Sequence, residues 1–353
     1  MIGLALVGFI FILGDSIKAS STAAIEEGLR ADYVVGGGAV AGLNGFSPEF
    51  GEKLADAPEI EAVTPGRIGF WDRDGSEDFL MGVDATTLDQ TIEIGVTAGS
   101  LADLEGARVF VFEDRMEDQG LVVGDTITMG FAATGYQEVE IAGVYSETGV
   151  VGFEYLIDLG YYKDNFGGYG TDTDFFLAIK AADGVDPAES RAVVDAIGAD
   201  YPNASVRDQT EYREANEDAI DQILLMLNAL LALAVVIAVF GITNTLALSI
   251  FERTREIGLL RAVGMNRGQI RRMIRWEAII VAIIGTILGI IVGLFFGVVV
   301  TAALESQGID RLSIPLAQIL GMMIFGVIAG LLSAIIPARR AAKLNILEAI
   351  AYE

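Results

Sequence analysis

The chain has 353 residues, of which 52% are hydrophobic, and its 23 Lys plus Arg against 49 Asp plus Glu give a net charge of −26. This composition is more apolar than that of an ordinary soluble protein. A chain with this much negative charge is also not expected to bind nucleic acid. The absence of His and Cys removes the commonest catalytic bases, metal ligands and disulfides, so an enzyme is a poor interpretation and we expect no catalytic or metal-binding residues.

The first predicted element is an apolar segment at residues 1–14, which Asp15 and Lys18 follow. It is shorter than the roughly 20 residues that a helix needs to cross a bilayer. We interpret residues 1–18 as a transmembrane helix that has lost its first turns. This leaves open whether the chain is complete or is the C-terminal part of a larger protein. A signal peptide, which would need a basic segment before it, and a buried core helix are the alternatives.

Residues 19–209 are predicted to form a large α+β domain. The runs ADYVVGG, ARVFVFED, DTITMGF, EVEIAGVY and DFFLAIKA have the composition of strands, and residues 187–202 have the pattern of an amphipathic helix. Residues 19–221 carry 41 acidic and 11 basic side chains. We interpret this excess as a solvated surface, with recognition of a cationic substrate as the alternative.

The acidic segment DRDGSED at residues 72–78 spaces its polar side chains like a calcium loop. It lacks the glycine at the sixth position and the glutamate at the twelfth, which are Glu77 and Val83 here. We therefore predict a surface turn, with a cation site as the alternative.

Three further segments are uncharged and long enough to cross a bilayer, at residues 223–251, 278–303 and 316–338. The helical pattern of the first begins at Thr210, so residues 210–251 are predicted to form a stalk that continues as the second transmembrane helix. Residues 277–303 and 316–338 are the third and fourth helices, and residues 304–315 are the link between them.

Basic residues predict the orientation of these helices, because they favour the cytoplasmic side of a membrane. Seven arginines lie in residues 252–276, and Arg339, Arg340 and Lys343 follow the last span. We therefore place the 252–276 loop and the 339–353 tail in the cytoplasm. Residues 19–221 and 304–315 are then outside, in a multi-pass protein of the plasma membrane that contacts lipids.

Two features of the spans predict helix packing. Glycine recurs every fourth residue through the third span, which favours close approach of a second helix in this chain or in another protomer; the positions are Gly285, Gly289, Gly293 and Gly297. Asn244 in the second span is expected to make an interhelical hydrogen bond, with a polar translocation path as the alternative.

The arginine-rich loop has the pattern of two helices. Gly264 is a predicted helix stop, and Asn266 with Gln269 resembles a capping box that starts a second helix. In the first helix Ile257, Leu260 and Gly264 share a face; in the second, Ile270, Met273 and Ile274 oppose Arg267, Arg271 and Arg275. A loop needed only for its charge would require neither helix.

The loop sequence FERTREIGLLRAVGM resembles the cytoplasmic signature of FtsX-like permeases, the membrane subunits of MacB- and LolCDE-type ABC transporters. The ending IIPARRAAKLNILEAIAYE, the segment at residues 120–145 and GITNTLALS are similar to other parts of that family. The resemblance covers nearly the whole chain and is greatest to actinobacterial-style members, in which two such units can be fused. It implies a helical bundle of four transmembrane helices, the first truncated, with the α+β domain inserted between the first two.

The resemblance also implies a partner and a mechanism. A cytoplasmic ABC ATPase subunit would dock on the loop and use ATP, since this chain has no P-loop motif and is expected to bind no cofactor directly. A second permease unit would complete the transporter. Mechanotransmission would then carry the ATPase cycle to an extracytoplasmic lipoprotein, peptide or hydrophobic compound. The alternative function is a membrane-anchored receptor or scaffold without an ATPase. The residues expected to couple to the ATPase are Glu252, Arg253, Arg255, Glu256, Gly258, Arg261 and Gly264.

Overall fold

A computed structural model of the chain describes residues 2–37, 45–146, 152–167, 172–305 and 308–343. The chain divides into two compact units. The helical unit comprises Met1–Ile17, Asp221–Leu304 and Asp310–Glu353, and the sheet unit comprises Lys18–Ile220 and Glu305–Ile309. The predicted tail from residue 344 onward lies outside the described residues.

The described part of the sheet unit contains ten strands and five short α-helices. The strands are β1 (Tyr33–Gly37), β2 (Ile60–Arg73), β3 (Ser76–Val83), β4 (Val96–Ala98), β5 (Arg108–Phe112), β6 (Thr126–Phe131), β7 (Gly135–Tyr145), β8 (Tyr155–Asp158), β9 (Phe176–Ala181) and β10 (Ala204–Asp208). The helices are α2 (Glu49–Ala55), α3 (Leu88–Thr91), α4 (Glu113–Gln119), α5 (Leu159–Phe166) and α6 (Pro187–Gly198), with a 3₁₀ turn at Leu101–Leu104. Each predicted strand run contains a strand, and the predicted amphipathic helix is α6.

The strands form one mixed sheet in the order β10-β1-β9-β2-β3-β8-β5-β7-β4, and β6 pairs with β2 and β7. The pairs β3–β8 and β5–β7 are parallel, and the others are antiparallel. Strand β1 lies between β9 and β10, so that Tyr33 is opposite both Ile179 and Asp208. The first strand of the unit, β1, is therefore hydrogen-bonded to the last two strands in the sequence, β9 and β10.

The acidic segment at residues 72–78 is the turn of the β2–β3 hairpin. Asp74 and Gly75 have φ angles of 51° and 85°, which is the geometry that a two-residue hairpin loop requires and that Asp-Gly adopts readily. The Asp72 carboxylate accepts hydrogen bonds from the Gly75 backbone amide at 3.0 Å and from the Tyr136 hydroxyl at 2.9 Å. Within the described ranges no group of three or more acidic side chains is placed to hold a metal ion.

A buried ion pair joins β2 to the segment before β9. Arg67 Nε lies 2.7 Å from Asp174 Oδ1, and both side chains are almost fully buried. Arg67 Nη1 also donates to the exposed Asp172 at 2.6 Å. Burial raises the pKa of the Asp174 carboxyl above its ordinary value, and the Arg67 guanidinium opposes that rise. Each buried charge is thus compensated by its partner, as a buried charge must be.

The helical unit is built from long apolar helices. Its elements are α1 (Ile2–Gly28), α7 (Gln209–Glu252), α8 (Thr254–Ala262), α9 (Arg267–Ala303), α10 (Leu316–Ser333) and α11 (Ile335–Ala341), and the unit boundary falls within α1 and within α7. Among the described residues four helices are long and apolar enough to cross a membrane: α1, α7, α9 and the α10–α11 segment.

Two helices differ from their predicted extents. Helix α1 continues to Gly28 instead of ending near residue 18, because residues 19–27 contain no Gly or Pro to stop it. The predicted fourth span is interrupted at Ala334, and α11 follows it. Pro337 has no backbone N–H to donate to the carbonyl of Ser333, four residues earlier, so the α-helical ladder is broken there.

Candidate functional site

The loop between α7 and α9 folds into one short helix with defined ends. After α8 the backbone of Gly264 turns to a φ of +113°. The Gly264 and Met265 amides donate to Arg261 and Leu260 carbonyls at 3.1 and 3.0 Å, the hydrogen-bond pattern of a Schellman motif. The capping box that starts α9 is present, because Asn266 and Gln269 each accept the other's backbone amide. The predicted helix stop and restart are confirmed.

A small apolar core holds α8 against the rest of the helical unit. Ile257 of α8 is buried together with residues of α9 and α11, namely Ile270, Ile274, Ala338 and Ala341. Gly258, beside Ile257, is buried as well. The contact through Ile257 fixes the position of α8. The α9 side chains in this core are those that were predicted to lie opposite the arginines of α9.

The opposite face of α8 exposes apolar side chains. Leu259 and Val263, one helical turn apart, are 61% and 83% exposed, and Leu260 is 40% exposed. Leu260 lies about 60° from Ile257 around the helix, on the same side as predicted, but at its edge, so that only Ile257 is buried. The prediction also overlooked Leu259 and Val263, although their spacing of four residues was visible in the sequence.

The charged residues predicted to couple to an ATPase fall into different environments. Arg253 donates to Glu256 at 2.9 Å and lies 3.6 Å from Glu277 of α9, so it braces the start of α8 within the chain. Arg255 is exposed and makes no ion pair in the part of the chain that the structure describes. Glu252 is exposed at the end of α7, and Arg261 is half-buried. Of the basic side chains in the set, Arg255 is therefore the best placed to meet another molecule.

The glycine positions of α9 bring α1 close to it. A Cβ on Gly293 would lie 2.6 Å from the Ala5 carbonyl oxygen, and one on Gly297 would lie 2.8 Å from Ile12. Gly289 is buried in the same row, whereas a Cβ on Gly285 would meet no atom within 4 Å. The helix that approaches these glycines is thus α1 of the same chain.

Gly285 instead lines a cavity of about 180 Å³ between α1, α7, α9 and α10. Its walls are apolar apart from Thr286, whose buried hydroxyl has no hydrogen-bond partner in the described residues. An apolar cavity of about 150 Å³ holds a molecule the size of benzene. The cavity is therefore too small for a peptide or a lipoprotein.

The interhelical hydrogen bond predicted for Asn244 is made by its neighbour Thr243. The Thr243 hydroxyl donates to the carbonyl of Val239 at 2.8 Å and to that of Ser333 at 3.1 Å. Ser333 can accept it because Pro337 leaves that carbonyl without its helical donor. Asn244 lies one residue further on, about 100° around the helix, and is exposed. The interhelical hydrogen bond of Asn244 therefore stays a prediction.

Two family models match the chain. Residues 1–197 match the MacB-like periplasmic core domain, and residues 228–346 match the FtsX-like permease C-terminal region.

Three curated relatives show how much of each protein is shared. The chain is 27% identical to the uncharacterized ABC transporter permease YknZ of Bacillus subtilis, over 74% of this chain and 66% of the relative. It is 24% identical to the pyoverdine export ATP-binding/permease protein PvdT of Pseudomonas entomophila, over 85% and 47% of the two chains. It is 31% identical to the macrolide export ATP-binding/permease protein MacB of Chlorobium luteolum, over 50% and 27%. The chain spans less than two thirds of each relative.

Among solved structures, the chain is similar to the periplasmic region of MacB from Actinobacillus actinomycetemcomitans. The two are 12% identical with a TM-score of 0.40, over 53% of this chain and 94% of that one.

The row of glycines in α9 provides a matched pair of substitutions. Gly293→Ala forces a methyl group against the backbone of α1, and we expect a loss of about 1–3 kcal/mol of stability. The methyl group of Gly285→Ala enters open space, so we expect the higher helix propensity of alanine to raise the stability by up to about 1 kcal/mol. Thermal unfolding of the full chain in detergent, followed by Trp276 fluorescence in a Trp71→Phe background, distinguishes them. Equal melting temperatures for the two variants would contradict the packing of α1 on α9.

Proposed function

The chain belongs to the ABC transporter permeases of the MacB and FtsX type, and from this premise we propose that it couples ATP hydrolysis by a separate cytoplasmic ATPase to work on a cargo outside the membrane. The ATPase docks on α8, and the sheet unit is the extracytoplasmic part. A second permease unit completes the transporter.

The exposed face of α8 is the observation that carries this proposal. Leu259 and Val263 are exposed on one face of α8. The other face packs in a core formed with residues of α9 and α11. Arg255 adds an exposed positive charge to the same helix. An apolar patch with a charged rim on a rigid element is what a protein–protein interface requires.

The form of α7 supports mechanotransmission as the mode of coupling. Helix α7 is a single helix of 44 residues, about 66 Å long at 1.5 Å per residue, which is about twice the hydrocarbon thickness. It contains no proline, so it has no residue of the kind that most often kinks a helix. A movement of its cytoplasmic end would therefore be carried along its length.

The membrane-spanning segments support cargo handling outside the bilayer. Residues 223–251, 278–303 and 316–338 contain no Asp, Glu, Lys or Arg that would line a polar path. The cavity at Gly285 is too small for a large cargo. Relatives are named for the export of macrolides and pyoverdine, and we propose a hydrophobic compound, a peptide or a lipoprotein as the cargo class here.

The proposed orientation can be tested with single cysteines, because the chain has none of its own. Ser76 and Gly268 are both exposed. We expect a membrane-impermeant thiol reagent to label Ser76→Cys in intact cells, and to label Gly268→Cys only after the cells are opened. Labelling of Gly268→Cys but not of Ser76→Cys in intact cells would invert the proposed topology.

Docking on α8 can be tested by purification of the tagged chain from its native membranes. We expect an ABC ATPase to co-purify, and we expect Val263→Glu and Arg255→Glu to reduce its yield about tenfold or more, since loss of a buried interface contact costs over about 1.4 kcal/mol. Val263→Leu and Arg255→Lys keep the apolar contact and the charge, and serve as matched controls. A stable, correctly inserted chain that never retains an ATPase would instead favour the receptor or scaffold function.

Mechanotransmission predicts that breaking α7 separates the ATPase from the sheet unit. Ala219→Pro disrupts the helix interior at a cost of about 3 kcal/mol or more, and Ala219→Ser is the helix-compatible control. With spin labels on Ser76→Cys, we expect ATP to change the distance between the sheet units of paired copies in the control but not in the proline variant. ATPase co-purification should be equal in both. An unaltered ATP response in Ala219→Pro would refute this mode of coupling.

A further inference from the structure

Two helices of the helical unit carry a cluster of exposed positive charges. Helix α9 has four arginines between residues 267 and 275, and the last turn of α11 has two, with a lysine shortly after it. The seven residues are Arg267, Arg271, Arg272, Arg275, Arg339, Arg340 and Lys343. All are exposed, and in the described part of the chain none of them forms an ion pair. We call these seven residues the basic patch.

The basic patch surrounds the small core that holds α8. Helices α9 and α11 meet through their buried residues, Ile270 and Ile274 of α9 with Ala338 and Ala341 of α11, and Ile257 of α8 packs among them. The same two stretches of helix therefore carry the core on their inner side and the positive charges on their outer side. Repulsion among these charges acts directly on the core.

The charges are placed unfavourably for α9 itself. Arg267, Arg271 and Arg275 are spaced four residues apart, and like charges at this spacing destabilise a helix. They also lie at the N-terminal end of α9, where the helix dipole favours negative charge. The acidic side chain nearest to them in the sequence, Glu277, lies 3.6 Å from Arg253 of the loop. The basic patch therefore calls for an anion from outside the described residues.

The surface beside the basic patch indicates what kind of anion it is. One face of α9 carries a stripe of residues spaced four apart, which consists of Arg272, Trp276, Ile280 and Ile284. Its three apolar members are each 54% exposed. On α11, Ile336 is 55% exposed and precedes Arg340 by one turn. Exposed apolar side chains of a span contact acyl chains, and tryptophan prefers the level of the headgroups. Each stripe thus passes from an acyl-chain surface to an arginine.

We propose that the basic patch binds anionic phospholipids, through Arg272 on α9 and Arg340 on α11, and that the bound lipid stabilises the core that holds α8. A guanidinium donates two parallel hydrogen bonds to a phosphate. The net negative charge of the headgroup offsets the repulsion within the patch, which the choline of a zwitterionic lipid would cancel. Groups of four to eight basic residues directly beside a span are what anionic lipids recognise.

Other anions fit this surface less well. A free phosphate would meet the arginines but would leave Trp276, Ile280 and Ile336 without a contact. A second copy of the chain carries the same positive charges and is repelled by them. The lipid site goes beyond the proposed function, because it lies on α9 and α11 instead of the exposed face of α8, and its binding is measured without an ATPase.

Quenching of Trp276 fluorescence measures which lipid lies beside Arg272. In the Trp71→Phe background Trp276 is the only tryptophan, and brominated acyl chains quench a tryptophan that they touch. In discs of phosphatidylcholine we expect a small fraction of brominated phosphatidylglycerol to quench severalfold more than the same fraction of brominated phosphatidylcholine. Equal quenching by the two lipids would overturn the proposal. Relief of the quenching by inorganic phosphate would also overturn it, because the patch would then be a site for a free anion.

Substitution of the arginines tests which charges hold the lipid. We expect Arg272→Gln to abolish the preference for phosphatidylglycerol and Arg272→Lys to keep most of it. Arg255→Gln removes the same charge from α8, which is not part of a span, and should leave the preference unchanged. An equal loss in Arg255→Gln and Arg272→Gln would show attraction by net charge alone and would refute the site.

Mass spectrometry of retained lipid gives a second measurement, which includes α11 and needs no change at Trp71. After extraction from bilayers that contain phosphatidylglycerol into a neutral detergent, we expect Arg272→Gln and Arg340→Gln each to lower the amount that stays with the chain severalfold. Retention equal to that of the unsubstituted chain in both variants would contradict the binding of lipid by these two arginines.

Hydrogen exchange tests the effect on α8. We expect the backbone amides of Thr254–Ala262 to exchange severalfold more slowly in discs that contain phosphatidylglycerol than in pure phosphatidylcholine, and we expect Arg272→Gln to remove the difference. Equal exchange of these amides in the two lipids would refute the stabilisation of α8 by bound lipid. Neither result depends on an ATPase, so the proposed function can fail while this inference stands, and the reverse.

Discussion

The close approach of α1 to α9 is the constraint on which the helical unit depends. In hydrocarbon there is no hydrophobic force between helices, so association relies on tight contact between their surfaces. Gly293 and Gly297 provide that contact by removing side chains where the α1 backbone passes. Midway along α1, the buried Ser16 hydroxyl accepts a hydrogen bond from the Ser313 amide at 3.0 Å, and Asp15 accepts one from the Ser313 hydroxyl, so α1 is also tied to the segment before α10.

The position of α8 follows from this packing through a series of contacts. Helix α9 carries Ile270 and Ile274 into the core that receives Ile257, and α11 supplies Ala338 and Ala341. Helix α11 is separate from α10 because of Pro337, and the carbonyl that Pro337 releases is the one that Thr243 of α7 binds. Pro337 thus separates α11 from α10 and frees the Ser333 carbonyl for the hydrogen bond from α7.

The sequence predicted the features that depend on local signals. The glycine stop, the capping box and the uncharged spans are each encoded within a few residues, and the family resemblance is confirmed by the two matching family models. In the candidate site, the outward face of α8 could have been found from the spacing of Leu259 and Val263.

Other features depend on residues that are distant in the sequence. The side of α7 that faces its neighbours carries Thr243, which binds the Ser333 carbonyl, and Leu246, which is buried with other helical residues. The orientation of Asn244 therefore could not be derived from the span alone. Strand β2 was not predicted, because Pro65, Gly66 and Gly69 weaken the strand pattern, yet β3 and β9 hold it from both sides. The parallel pairing of β5 with β7 likewise has no local signature.

The location of β1 between β9 and β10 has a consequence for biosynthesis. Tyr33 leaves the ribosome about 175 residues before its partner Asp208, which at about 5–20 residues per second is a delay of roughly 10–35 s. Until β9 has been made, β1 has neither of its neighbours, and its apolar residues Val34 and Val35, which are fully buried in the folded unit, are open to other chains. Completion of the sheet is therefore a late event that coincides with the emergence of α7, and chaperone protection of the nascent chain matters most before residue 208 is made.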